Sequence, residues 1–133
     1  MIKYNIEGNT TKAWFEDEWT RNSWYIPISN DLEKRFNIQL YGHELYDKIS
    51  NYIYSQPWYA TVTCKGGDKF CPIMGKEMAK KKLLKRYYTC LFKCRDMVIQ
   101  YYKNKYDEAI KKAQLGKLAN KIYDLEDELR GRK

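Results

Sequence analysis

Residues 75–112 read GKEMAKKKLLKRYYTCLFKCRDMVIQYYKNKYDEAIKK, and how this stretch folds decides how the rest of the chain is read. Neither Pro nor a turn cluster interrupts the sequence between Gly75 and Gly116. Projected at the helical period, Leu83, Leu84, Tyr87, Tyr88, Leu91, Val98, Tyr101 and Tyr102 fall on one broad side, and Lys82, Lys85, Arg86, Lys93, Lys103 and Lys111 on the other. That is the pattern of an amphipathic helix with a basic outer stripe. Unbroken, residues 76–112 would run on the order of 55 Å at about 1.5 Å per residue, a length that in a small domain admits a break between Tyr102 and Tyr106.

The charge of the chain is concentrated in this segment. Residues 76–112 carry twelve Lys and Arg against Glu77, Asp96, Asp107 and Glu108, a net +8 that equals the formal charge of the whole chain. Residues 1–64 sum to −2. A slightly acidic head followed by a strongly basic helix points to a polyanionic partner, most often nucleic acid. Lys81, Lys82, Lys85, Arg86, Lys93 and Lys103 are the candidate phosphate contacts. Tyr87, Tyr88, Tyr101 and Tyr102 interleave with the charges, as aromatics that stack on unpaired bases do. The plain alternative is a solvated face that keeps a Tyr-rich protein in solution. Reversing Lys82, Lys85 and Arg86 to Glu is expected to abolish polyanion binding and leave thermal stability nearly unchanged, because exposed charges contribute little to folding.

Beyond Gly116, Leu118, Ile122, Leu125 and Leu129 recur at intervals of 4, 3 and 4. This is coiled-coil spacing over about two heptads. It would close an intrachain helical hairpin or pair two copies of the chain.

The first half is mixed. MIKYNI alternates like a short strand, and TTKAWFEDEW reads as a short helix capped by Thr10 or Thr11. NSWYIPIS is aromatic and β-branched and reads as a strand, held to an edge by Pro27. Ser29-Asn30-Asp31 has the look of a helix start, and DLEKRFNI of a short helix broken between Asn37 and Gly42. HELYDKISNYIYSQ places Leu45, Ile49, Tyr52 and Ile53 at helical spacing before Pro57. WYATVTC, KGGD and KFCPI read as a β-hairpin turning at Gly66-Gly67. The expected fold class is therefore α+β: a small antiparallel sheet with short helices, followed by a long basic C-terminal helical arm or hairpin. It divides into an aromatic-rich head over 1–74 and a basic helical region over 75–133 within one compact domain.

With 133 residues and 44% hydrophobic side chains the chain suffices for one core. No stretch approaches the about 18 apolar residues of a membrane span, and the N-terminus lacks the pattern of a signal peptide. A cytoplasmic setting follows as the expectation, with cysteines kept as thiols or metal ligands. The Lys, Asn, Ile and Tyr usage corresponds to AT-rich codons, as in a low-GC bacterium or one of its phages.

Cys64 and Cys71 flank the expected turn, and Cys90 and Cys94 share a helix face one turn apart. A turn-borne pair with a helix-borne pair is a zinc arrangement, although six residues between Cys64 and Cys71 exceed the usual two to four. Buried thiols acting as small apolar groups, or a redox pair, are the alternatives. His43 is the only histidine and sits beside Glu44, the setting of a structural residue. Glu16-Asp17-Glu18 lies between Phe15 and Trp19, so Trp14, Glu16, Asp17 and Trp19 form a candidate acidic-aromatic patch for protein binding.

No phosphate loop, nucleophile elbow or catalytic constellation is present in the sequence. The first function class is thus a binding protein without catalysis and without a required cofactor. Its basic helix grips nucleic acid or a nucleic-acid-processing complex, and its head recognises through Trp14, Trp19, Trp24 and Trp58. The second is a small phage-type inhibitor or adaptor directed at a host nuclease or CRISPR effector. The third is a zinc-binding regulator or metal-dependent nuclease.

Overall fold

Residues 1–16, 23–64 and 72–131 are described by the structure, a computed structural model. Strands β1 (Ile2–Glu7) and β2 (Thr10–Phe15) form an antiparallel hairpin, with Glu7 opposite Thr10 and Ile2 opposite Phe15. The turn between them needs a left-handed residue, and Gly8 supplies it at φ 58°. The ladder is extended where the Glu16 N–H donates to the Met1 carbonyl at 2.9 Å. The sequence reading placed a helix at TTKAWFEDEW; residues 10–15 are instead a strand. Thr10, Thr11, Trp14 and Phe15 have side chains suited to a pleated surface, and burial alternates so that Thr11 and Ala13 face the core.

Helix α1 (Tyr25–Phe36) occupies the segment read as the strand NSWYIPIS. Pro27 lies in its first turn, where a missing N–H costs nothing, and the Ile28 N–H closes the turn on the Trp24 carbonyl at 2.9 Å. The helix thus starts ahead of Ser29-Asn30-Asp31. Its apolar stripe sends Ile28 and Leu32 inward. It ends at Asn37, left-handed at φ 55°, with the Ile38 N–H reaching back to the Leu32 carbonyl at 3.1 Å.

Helix α2 (Tyr46–Ser55) buries Ile49, Ser50 and Ile53. His43 prepares its start: its Nδ1 accepts from the Leu45 N–H at 3.0 Å, and its carbonyl accepts from the Tyr46 N–H at 3.0 Å. The helix stops because Gln56 precedes Pro57 and is driven to an extended conformation, φ −81° and ψ 140°. Strand β3 (Tyr59–Thr63) follows and pairs antiparallel with β2, giving the order β1-β2-β3. The Asn9 side chain and backbone clamp Cys64 at the end of this ladder, at 2.7 and 2.9 Å.

Residues 65–71, including the expected turn and Cys71, lie outside the described residues. Pro72 and Ile73, read as the end of a second hairpin strand, open a helix instead. Pro is well suited to a first helical position. Helix α3 (Pro72–Gly131) is a single 60-residue element. It contains no break at Tyr102–Tyr106, and it passes through Gly116 rather than folding back, so the intrachain hairpin does not form.

The fold is therefore α+β, a three-stranded antiparallel sheet with two short helices and one long C-terminal helix. The chain divides into two compact units, Met1–Met97 and Val98–Lys133, with the division inside α3. The first unit holds a core of Ala13, Trp24, Ile28, Leu32, Leu40, Ile49, Ile53 and Ala60, to which α3 adds Ala79, Leu83, Tyr87, Cys90, Leu91 and Cys94. Truncating one of the larger aliphatics, such as Leu83, to Ala costs about 2–5 kcal/mol. Tyr87 meets Phe15 and Trp24 edge to face at 5.4 and 5.6 Å, and its hydroxyl donates to Asp31 Oδ2. The described residues of the second unit are helical, and every one of them from Tyr102 onward is exposed. No helix among the described residues is long and apolar enough to cross a membrane.

Candidate nucleic-acid interface

Within the first unit a groove of about 330 Å³ opens along one face of α3. The helix contributes Lys82, Lys85, Arg86, Thr89, Cys90 and Lys93, spaced so that successive turns present one stripe to the groove. The opposite wall is Trp24 at the start of α1, Tyr52 on α2, and the Gln56-Pro57 corner. Four of the lining residues are cations and none is a carboxylate.

Two of these cations are held by the sheet. The Lys82 ammonium donates to the Thr61 carbonyl at 2.8 Å, and Arg86 Nη1 donates to the Tyr59 carbonyl at 2.9 Å. β3 is an edge strand whose Cys64 and Val62 register faces β2, so the carbonyls of Tyr59 and Thr61 lie on its outer edge. Carbonyls two residues apart on a strand are separated by about 6.6 Å, and residues four apart on a helix rise by about 6 Å. The i, i+4 pair on α3 therefore matches the i, i+2 pair on β3 and satisfies edge acceptors that would otherwise need water. Lys82 is exposed and Arg86 half-buried, and beyond the expected charged face both fasten α3 to the sheet edge while lining the groove.

Lys85 and Lys93 are exposed. Lys93 Nζ stands 6.0 Å from the centre of the Tyr52 ring. Burial, followed by the nearby thiols of Cys90 and Cys94, raises the pKa of Tyr52, so it stays neutral as a hydroxyl. The Cys90 thiol is drawn down, first by a hydrogen bond from Cys94 and also by Lys93, against the opposing effect of burial. The Cys94 thiol is pushed up by the same hydrogen bond and by burial. Trp24 is 2% exposed, and its Nε1 is a buried donor with no partner among the described residues. The walls thus combine ammonium and guanidinium donors, which suit an anion with several acceptor oxygens.

The sequence-derived candidates separate on this structure. Lys82, Lys85, Arg86 and Lys93 come together in the groove. Lys81 is exposed but does not line it, and Lys103 belongs to the second unit. In the acidic-aromatic patch, Trp14 Nε1 donates to Glu16 Oε2 at 3.0 Å, while Asp17 and Trp19 lie outside the described residues. Trp58 stacks its ring face toward Lys12 Nζ at 4.6 Å and does not line the groove. Cys90 and Cys94 share a buried helix face, as their spacing requires. Cys71 lies outside the described residues, and among those residues no three His, Cys, Asp or Glu side chains converge on one point. Tyr52, Gln56, Pro57 and Thr89 were missed as lining residues. Nothing local marks Tyr52, Gln56 and Pro57, because they meet α3 only through the packing of α2 and the turn at Pro57, whereas Thr89 lies on α3 itself between Arg86 and Lys93.

No protein-family model, curated protein or solved structure matches this chain.

Proposed function

We propose that this protein is a non-catalytic nucleic-acid-binding protein that seats the phosphate backbone in the basic groove of its first unit. The observation that carries this reading is the convergence of Lys82, Lys85, Arg86 and Lys93 on a groove without a carboxylate. Lys82 and Arg86, fixed by β3, give the groove two cations of set position. Lys85 and Lys93 are exposed, within reach of phosphate oxygens. Such contacts are independent of base sequence and weaken with salt. The half-buried ring of Tyr52 at the rim is placed for contact with a sugar or base.

The test is a titration of labelled single-stranded DNA, duplex DNA and RNA with the wild-type protein and with Lys85→Glu/Lys93→Glu. Binding by the wild type and loss of about tenfold or more in the variant is expected. Absence of binding to every free nucleic acid at low salt would overturn the reading. It would direct attention to nucleoprotein complexes and to the protein-directed inhibitor class.

A further inference from the structure

The second unit carries a bare apolar seam. Leu115, Leu118, Ile122, Leu125 and Leu129 recur at intervals of 3, 4, 3 and 4 on α3, and each is between 51% and 73% exposed. The seam is thus one level longer than the four positions after Gly116. Helices draw most of their stability from packing such a stripe, and an uncovered one is marginal in water.

The charges beside the seam say what covers it. With Leu115, Ile122 and Leu129 at heptad position a, Leu118 and Leu125 fall at d. Asp107, Gln114 and Lys121 then fall at g, and Lys112, Ala119 and Glu126 at e. In a parallel pair of helices, each g residue faces the partner's e residue five positions on. Over the apolar levels Gln114 then meets the partner's Ala119, and Lys121 the partner's Glu126. Between Leu115 and Leu129 no such pair sets like charges together, and symmetry makes the Lys121–Glu126 attraction twice. Leucine at both d positions suits a two-stranded coil.

Antiparallel pairing fits less well. One register puts Leu129 opposite the partner's Lys111 and sets Lys121 against the partner's Lys121. The other register moves Leu115 beyond the apolar levels. Only the parallel arrangement uses all five levels.

We infer that the second unit is a dimerisation element that binds a second copy of this chain as a short parallel two-stranded coiled coil over residues 114–129. The dimer sets two first units on the same pair of helices and is independent of whether the groove binds nucleic acid.

The experiment is sedimentation of the full-length protein across a concentration series, for the wild type, Lys121→Glu, Glu126→Lys and the double variant carrying both changes. The wild type is expected to shift from monomer to dimer with concentration. Each single reversal places like charges at two symmetric pairs and should raise the dimer dissociation constant roughly five- to tenfold. The double variant should return close to the wild-type value, because reciprocal exchange restores both attractions. These exposed positions leave folding intact, so a change reads association. A wild type that stays monomeric at all concentrations overturns the inference, as does a dimer indifferent to the single reversals.

Discussion

Arg86 Nη1 and the Tyr59 carbonyl lie 2.9 Å apart, joining the middle of the basic stripe to the outer edge of β3. The residue reading as part of a phosphate-binding surface is therefore also part of what holds the helix to the sheet. Arg86→Ala should destabilise the protein by about 1.5–3 kcal/mol, the usual worth of a hydrogen bond to a charged group. The more exposed Lys82→Ala should cost less, about 1 kcal/mol. Urea denaturation gives both values. Equal stability for Arg86→Ala and the wild type would show that β3 does not need this donor.

Lys85 and Lys93 should behave in the opposite way. Both are exposed groove cations without a backbone acceptor from β3. Lys85→Glu and Lys93→Glu should keep stability within about 0.5 kcal/mol of the wild type, while nucleic-acid binding falls. The same urea series, run beside a binding titration, separates them from Lys82 and Arg86.

Tyr25 and Tyr87 make the fold sensitive to alkali. Burial, and then the hydrogen bond with Tyr46, raises the Tyr25 pKa to about 12. Burial, and then the Asp31 carboxylate, raises that of Tyr87 further. Above the ordinary tyrosine value of 10.0 the unfolded chain releases these protons and the native chain keeps them. The unfolded state then binds fewer protons, so stability falls as pH rises. Their contribution is fully present below about pH 10 and is lost above it. Urea midpoints at pH 8 and pH 11 should show the fall, and Tyr87→Phe should flatten it. An identical pH dependence in Tyr87→Phe would remove Tyr87 from this role.

The Tyr87 hydroxyl also ties α3 to α1 through Asp31. At pH 7, Tyr87→Phe leaves a half-buried carboxylate with Arg35 at 3.7 Å as its remaining partner. A loss of about 1–2 kcal/mol is expected, measured by the same unfolding assay.

Much of this was legible in the sequence. The period of residues 76–112 determined the long helix, and the groove cations fell on the side that its pattern assigns to charge. The local misreadings have a common cause. TTKAWF and NSWYIPIS carry aromatic and β-branched residues at short spacing, where helix and strand patterns overlap. Partners decided between them: β2 forms because Gly8 turns it back on β1, and α1 because Ile28 and Leu32 are needed in the core. The attachment of Lys82 and Arg86 to β3 was invisible because it depends on which strand lies at the sheet edge. The continuity through Gly116 ran against the usual meaning of a glycine near a helix end.

The most direct test of the central claim is the salt dependence of duplex-DNA binding, measured by fluorescence anisotropy for the wild type and for Lys85→Glu/Lys93→Glu. Each phosphate contact contributes about −0.9 to the slope of log K against log salt. The wild type should bind with a slope of several contacts, and the variant should bind more weakly with a slope shallower by about two units. Equal affinity and slope in the two proteins would contradict the groove as the nucleic-acid interface.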